Sequence, residues 1–331
     1  MTRLPGTRMQ EADEQADRRK GRLAMADVKD LQPNVTDVAL IFEGGGMRAS
    51  YTSGVVTTLL ENDLHFGAVY GVSAGASHTV NYLSRDVARN KRSFVDQVLD
   101  PEFGGWKSML QGRGYFNAHH LYEGQIDEAT GPEDPMWFDW DTFVANPAEL
   151  HIEALDQDTG QTVAWTRKDM PTPHDIGIRV RASSSMPLFM PPTVVDGRTY
   201  VDGGAGSNHG ILLRAAQADG FQRFFIVRTQ PRAYRKKPMS SAAARMMRAA
   251  FREHPLVAER TIDRWSHYNQ LCDVIEDLER EGSAYVFYPD IMEVDNKTTD
   301  VEALETSYER GLNQARRELN AWERWLQTGR V

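Results

Sequence analysis

From about residue 34 onward the chain switches repeatedly between two hydrophobic rhythms. Short continuous apolar runs bounded by polar residues have the length of buried strands: Asp37-Val38-Ala39-Leu40-Ile41-Phe42, Phe66 to Val72 and Phe224 to Val227. Between them lie stretches with apolar residues at helical spacing. Ser50 to Leu60 carries Val55, Val56, Leu59 and Leu60, and Ala74 to Ser84, Ser93 to Leu99 and Ile211 to Ala218 also read as helix. Leu150 to Leu155 and Thr162 to Thr166 flank Asp158-Thr159-Gly160, a hairpin signal. Val194, Val195, Thr199 and Val201 flank a second, Asp196-Gly197. Glu102 to Gly114, with several glycines, reads as a loop. Strands alternating with helices predict the α/β class, with a mostly parallel central sheet, helices on both sides and a hairpin extending one edge.

The junction after the second apolar run reads Gly71-Val72-Ser73-Ala74-Gly75. A serine between glycines at a strand-to-helix turn is the nucleophile-elbow pattern. The backbone turns so sharply that only very small neighbours fit, and the serine oxygen is left at the tip. The helix that follows points its N-terminal amides at negative charge developing there.

The first strand ends in Glu43 and then Gly44-Gly45-Gly46-Met47-Arg48. Glycines between strand and helix free backbone amides to face an anion. In acyl transfer that anion is the tetrahedral oxygen, and losing one such donor costs roughly 3–4 kcal/mol of transition-state stabilisation. A dinucleotide-binding turn is a rival reading, with Ala49 at its third position. The next strand ends in the serine elbow, however, and Glu43 suits a pyrophosphate poorly. A plain tight turn is a third reading. Downstream, Tyr200-Val201-Asp202-Gly203-Gly204 puts an aspartate at a strand end, where glycines permit an unusual backbone. By itself Asp-Gly is most often only a turn.

In that order and spacing, the three segments resemble the patatin-like phospholipase family. Its pattern is a glycine-rich turn ending in Arg or Lys, then Gly-x-Ser-x-Gly, then Asp-Gly-Gly or Asp-Gly-Ala. Ala182-Ser183-Ser184-Ser185-Met186-Pro187-Leu188-Phe189 also looks like the Ala-Ser-rich stretch preceding that aspartate. The likeness covers roughly residues 36 to 230. Ala49, where the family usually has glycine, is a departure that predicts a slightly different last turn of the loop.

This resemblance implies a three-layer α/β/α patatin-like fold and a Ser–Asp dyad acting on lipid carboxylic esters. Ser73 is the implied nucleophile and Asp202 the implied base, which later activates water for deacylation. Gly44, Gly45, Gly46, Met47 and Arg48 are the implied oxyanion and substrate-binding loop, and Gly71, Gly75, Gly203 and Gly204 the motif glycines. Arg48 orients the loop, favours an anionic headgroup or is a surface arginine at a helix start. No cofactor and no metal are expected. A carboxylate with an ordinary pKa near 4 is a weak base toward a hydroxyl, so desolvation of Asp202 is part of the expectation. Two alternatives stay open: a soluble esterase or thioesterase with a Ser73-Asp202-His209 triad, and a non-catalytic lipid-binding protein of the same fold. His209 obeys the hydrolase order of nucleophile, acid and histidine, or is simply a polar residue before the next helix. His78 is expected to point away from the elbow; His119, His120, His151 and His174 are the other candidates.

Composition adds limits. In 331 residues the single cysteine, Cys272, excludes an internal disulfide and points to a reducing, cytoplasmic setting. No apolar run reaches the length of a membrane span. Residues 1–33, charged throughout their middle, are expected to be a disordered leader; residues 34–235 the catalytic domain; residues 236–331 a mainly helical extension packed on it. Met136-Trp137-Phe138-Asp139-Trp140, after a Gly131-Pro132 break, either packs in the core, lines an acyl pocket or dips into lipid. Net charge is −9, yet residues 223–252 hold nine basic residues and no acid, interleaved with Met239, Met246, Met247 and Phe251. Such a segment suits the surface of an anionic membrane, possible at the inner face. The plainer reading is a solvated helix paired with the acidic stretch Asp290 to Glu309. Nucleic acid is not an expected partner, because overall acidity repels phosphates.

Overall fold

Eight strands join in one sheet in the order β5-β6-β3-β2-β1-β7-β8, with β4 paired to β3. They are β1 (Ala39–Phe42), β2 (Ala68–Gly71), β3 (Glu149–Asp156), β4 (Thr162–Trp165), β5 (Thr193–Val195), β6 (Arg198–Asp202), β7 (Phe224–Val227) and β8 (Ala284–Phe287). This computed structural model describes residues 31–329 apart from 130, 132, 133 and 135, so most of the expected leader, and Pro132, lie outside the described residues. Pairs among β3, β2, β1, β7 and β8 are parallel, while β4, β6 and β5 run antiparallel to their partners. Both expected hairpins are present, at the β3–β4 and β5–β6 turns.

The principal helices are α1 (Ala49–Glu61), α2 (Ala74–Leu83), α3 (Pro173–Ser184), α4 (Leu213–Ala218), α5 (Ser241–Ala250), α6 (Pro255–Arg280) and α7 (Val301–Thr328). One apolar cluster holds side chains of α1, α2, α3 and α7 against one sheet face; a second holds those of α4 and α6 against the other. The chain is therefore the expected α/β/α sandwich. Helix α1 is buried all round down to Leu60, although it is rich in Ser and Thr. Its small residues let α7 approach closely: a Cβ on Gly311 would lie 1.9 Å from the Tyr51 carbonyl oxygen. Its hydroxyls are satisfied locally or across the contact, as in Ser50 Oγ donating to Ser307 Oγ at 2.9 Å.

The residues after 235 do more than cover the sandwich. Ala284-Tyr285-Val286-Phe287 is fully buried and adds β8 to the sheet beside β7. A four-residue apolar run between two long helices carries little periodic signal, so the strand was not expected. Two smaller differences have local causes. Residues 93–99 are not continuous helix: the helix Val87–Arg92 ends just before them, 93–95 form a turn and Asp96–Leu99 a 3-10 turn. The expected loop 102–114 contains a helical turn, Trp106–Leu110, entered through Gly105 at φ 96°.

Candidate active site

The site is assembled by strand register. Gly71 of β2 lies level with Ile152 of β3, and Ala154 of β3 lies level with Asp202 of β6. Ser73, two residues past Gly71, thus arrives at the height of Asp202, with β3 between them. The polypeptide turns at Ser73 with φ 57° and ψ −128°, a strained conformation for a residue with a side chain. The turn closes because its neighbours are glycines. A Cβ on Gly75 would sit 2.2 Å from the Phe42 carbonyl oxygen, and one on Gly71 would sit 2.1 Å from that of Gly75. Ser183 braces the elbow: its Oγ accepts the Ser73 N–H at 2.9 Å and donates to the Glu153 carbonyl at 2.6 Å.

Asp202 is buried. Its N–H donates to the Ser185 carbonyl at 2.9 Å, and its Oδ1 accepts the Gly204 N–H at 2.6 Å. Burial pushes its carboxyl above the usual range, against the pull of Arg264, the neighbouring Ser73 hydroxyl, the Gly204 amide and Lys236. Burial wins, so the carboxylate is a stronger base than an exposed one.

The loop after β1 begins with Glu43, almost fully buried. Its carboxylate accepts from Arg228 Nε at 2.9 Å, the Thr229 N–H at 2.7 Å and the Tyr268 hydroxyl at 2.6 Å. Burial opposes its charge, but these partners more than compensate and hold it below the ordinary carboxylate range. From this anchor the glycines run past the elbow. Among the described residues, the amides of Gly45, Gly46 and Ala74 donate to no protein group. Ala49 raises no difficulty: its φ is −63°, and the positive φ of the loop falls on Gly46 instead.

Ser73 borders two cavities. One, of about 220 Å³, holds the charged groups Asp202, Arg48, Lys236 and Arg264 beside the apolar side chains of Met186, Phe189, Met239 and Met247. The other, of about 50 Å³, is lined by Met47, Phe94, Phe103, Phe116, Leu121 and Met190 among others. A third, of about 40 Å³, shares Phe94, Leu121 and Tyr122 with it and reaches Met136 and Phe138. The arrangement can place an ester carbon at the hydroxyl, with the cluster of charged groups on one side and the smaller, uncharged cavity on the other.

The family description "Patatin-like phospholipase" matches residues 40–214, more than half of the chain. The chain belongs to the patatin-like phospholipase family. A second description, "Domain of unknown function (DUF6363)", matches residues 254–327. The chain is 24% identical over 214 residues to "Uncharacterized protein YjjU" of Escherichia coli K12, covering 64% of itself and 56% of that relative. It is also similar to the crystal structure of VipD from Legionella pneumophila, at 13% identity and TM-score 0.46, over 86% of this chain and 67% of that one.

Among the described residues of this patatin-like chain no hydrogen bond or ion pair links a histidine to Ser73 or Asp202, and His119 is exposed. The His209 ring stacks on His267 with centroids 4.9 Å apart, and its carbonyl accepts from Arg264 Nε and Nη2, both at 3.2 Å. Burial and the surrounding cations hold it neutral, its pKa lowered to about 4. No hydrogen bond links it to Asp202 among the described residues, so the triad geometry is absent. His78 is enclosed between Thr52 and Asn90, to which its two ring nitrogens are hydrogen-bonded. His151 faces Glu153, His120 faces Asp100 and His174 faces Asp127.

The basic segment departs from its plainer reading, the pairing with Asp290 to Glu309. Arg232, Arg235 and Arg248 pair with Glu279, with Asp273 and Glu276, and with Glu259, all on α6. Arg223 pairs with Asp37 and Arg228 with Glu43. The acids expected to take them are engaged elsewhere: Asp290 with Arg317, Glu293 with Arg310 and Glu305 with Lys91. Folding α6 back along this segment brings its acids closer than the more distant stretch. The aromatic cluster packs in the core through Phe138, which also lines the third cavity.

Several site residues had no usable sequence signal. Arg264 is one arginine among many on a long helix, and Lys236 sits in a basic run that suggested a surface. Ser183 lay in a recognised Ala-Ser stretch, but nothing in the string said which serine turns inward.

Proposed function

We propose that this chain is a serine acyl hydrolase of lipid carboxylic esters, of the phospholipase A or lysophospholipase type, working through Ser73 and Asp202. The observation that carries the reading is the shared height of the two side chains across β3, with Ser73 facing both cavities. Asp202 takes the Ser73 proton as Oγ adds to the ester carbonyl. The oxyanion forms against the unpaired amides of Gly45 and Gly46, in the glycine loop that also includes Gly44, Met47 and Arg48, and of Ala74 at the start of α2. The intermediate collapses, the alcohol leaves with the proton held by Asp202, and the acyl chain remains on Ser73. Asp202 then takes a proton from water, which attacks the acyl carbonyl, and the released Ser73 oxygen recovers that proton. No cofactor or metal has a part in this scheme.

A fluorophosphonate probe should label wild-type protein at Ser73 and leave Ser73→Ala unlabelled. His209→Ala should keep most of its turnover; a collapse would restore the triad alternative, and absent labelling would favour the non-catalytic lipid binder. The apolar cavity is assigned to the acyl chain. Leu121→Trp should therefore cut turnover of long-chain esters by about tenfold or more while short acyl esters are spared, a loss of the same size as one well-filled pocket contact. Equal losses on both would remove that assignment.

No helix among the described residues is long and apolar enough to cross a membrane. Peripheral contact with an anionic bilayer, at the cytoplasmic face on this reading, falls within residues 223–252 to Lys237, Arg245 and Met246, which are exposed. A Lys237→Glu/Arg245→Glu protein should float less with anionic vesicles than wild type. Unchanged flotation would end that part of the proposal.

A further inference from the structure

The larger cavity beside Ser73, which carries the charged groups, is built from two parts of the chain. The family-matched segment supplies Ser73, Asp202 and Arg48, whereas Lys236, Thr261, Arg264 and Asn296 come from beyond residue 214. Arg264 stands on α6 inside the segment matched as a domain of unknown function. Among the described residues its guanidinium donates to the His209 carbonyl alone, which leaves donors over, and a Cβ on Gly204 would meet both its Nη2 and Asp202 Oδ1 within 2.8 Å. Lys236 is held by its backbone, which exchanges hydrogen bonds with the Asn269 side chain at 2.8 and 3.0 Å. Its ammonium lies over the Tyr268 ring at 4.4 Å and has no ion pair among the described residues. Arg48 Nε is buried without a hydrogen-bond partner.

Three cations therefore face one cavity that contains one carboxylate, Asp202. The other nearby acid, Glu43, is already neutralised by Arg228. This local excess is unusual in a chain of net charge −9 whose other cations along residues 223–252 mostly find carboxylates. One arginine would be enough to steady Asp202. Three basic groups, partly enclosed and without an ion pair among the described residues, oppose one another's charge unless an anion completes the site. Phosphate fits this chemistry, since arginine forks and a lysine point charge both bind its oxygens.

We propose that Lys236 and Arg264, with Arg48, form a phosphate-binding subsite, so that the C-terminal region completes the active site and selects esters carrying a phosphate near the scissile bond. This deepens, and rests on, the hydrolase reading of Ser73 and Asp202. The phosphate sits among the three basic groups of the larger cavity while the acyl chain takes the smaller one, which orients the carbonyl across Ser73. Lys236 carries a further signature. Burial, then Arg264 and Arg48, lower its pKa to about 7, against the opposing pull of Glu43 and Cys272. Facing it as well are Asp202 and the rings of Tyr234 and Tyr268. An arriving phosphate restores its charge, so binding at pH 8 takes up a proton.

The test uses full-length Ser73→Ala protein, which binds without turnover. Calorimetry would compare soluble dihexanoyl glycerophosphate with neutral dihexanoylglycerol, with inorganic phosphate and glycerol 3-phosphate as competitors. The phosphate-bearing lipid should bind at least tenfold more tightly. Lys236→Met and Arg264→Gln should each erase most of that preference, Lys236→Arg should restore it, and Lys168→Met, an exposed charge elsewhere, should not alter it. Proton uptake, read from the dependence of the heat on buffer, should vanish in Lys236→Met. Competition by free phosphate marks a site for phosphate from any source, and competition by neither small anion marks one that requires the lipid; both support the subsite. Equal affinity for the two lipids, or a preference surviving in well-folded Lys236→Met and Arg264→Gln proteins, overturns it. Those results leave the hydrolase reading intact, whereas absent Ser73 labelling with a persisting phosphate preference removes the hydrolase and keeps the subsite.

Discussion

Asp202→Asn should lower turnover by about 10²–10⁴-fold, the usual contribution of a positioned general base, and should make the protein more resistant to heat at neutral pH. The two effects have one cause. Folding raises the Asp202 carboxyl above its unfolded value because burial penalises the charge. Between the unfolded and folded pKa values the native state holds the proton more tightly, so this group's contribution to stability falls as pH rises through that window. Above it the ionised carboxylate is a standing cost, which asparagine removes while keeping an oxygen for the Gly204 amide. Melting curves of the two proteins should converge once the pH is below the unfolded value. In wild type the acid limb of kcat/KM should lie above the ordinary carboxylate range. It should move higher still in Arg264→Gln, which loses the strongest influence opposing the rise. An acid limb at the ordinary carboxylate position would contradict the desolvated base.

Arg228→Met should destabilise the fold by about 3–5 kcal/mol, the cost of leaving one partner of a buried ion pair uncompensated. Arg228 is 2% exposed and Glu43 3% exposed, and the guanidinium also reaches the Tyr268 hydroxyl at 2.9 Å and Cys272 Sγ at 3.3 Å. The pair joins the start of the glycine loop to the end of β7 and to α6. Its pH signature changes sign in the variant. Wild-type Glu43 titrates below its unfolded value, so its contribution is present above that value and lost as pH falls through the folded one. Without Arg228 burial dominates and the carboxyl rises, so the same group weakens the fold as pH increases. Adding Glu43→Gln should recover part of the loss by removing the stranded charge. Urea unfolding of the single and double variants across acid and neutral pH would measure this. An additive double variant would show that the two groups do not act as a pair.

The chemistry of the centre was readable wherever it depends on local backbone. Gly71-Val72-Ser73-Ala74-Gly75 forms an elbow because its turn excludes side chains, a restriction that acts over five residues and is written in five letters. The same holds for Gly44-Gly45-Gly46 after an apolar run and for Asp202 ahead of two glycines. Strand β8 was missed because four apolar residues between helices have no period to detect. The basic segment misled because charge composition says nothing about which acids a later helix will bring alongside.

The string of residues by itself determined the layered α/β architecture, the elbow serine, the glycine loop and the family to which the chain belongs. These follow from short-range sterics and hydrophobic rhythm, which neighbouring letters specify. Only the tertiary structure decided that His209 faces His267 rather than Asp202, that Glu43 is tied to Arg228, and that Lys236 and Arg264 enter the cavity at Ser73. Those outcomes depend on strand register and on how α6 lies against its face of the sheet. Contacts between residues far apart in the chain arise from the packing of whole elements, and no local pattern encodes them.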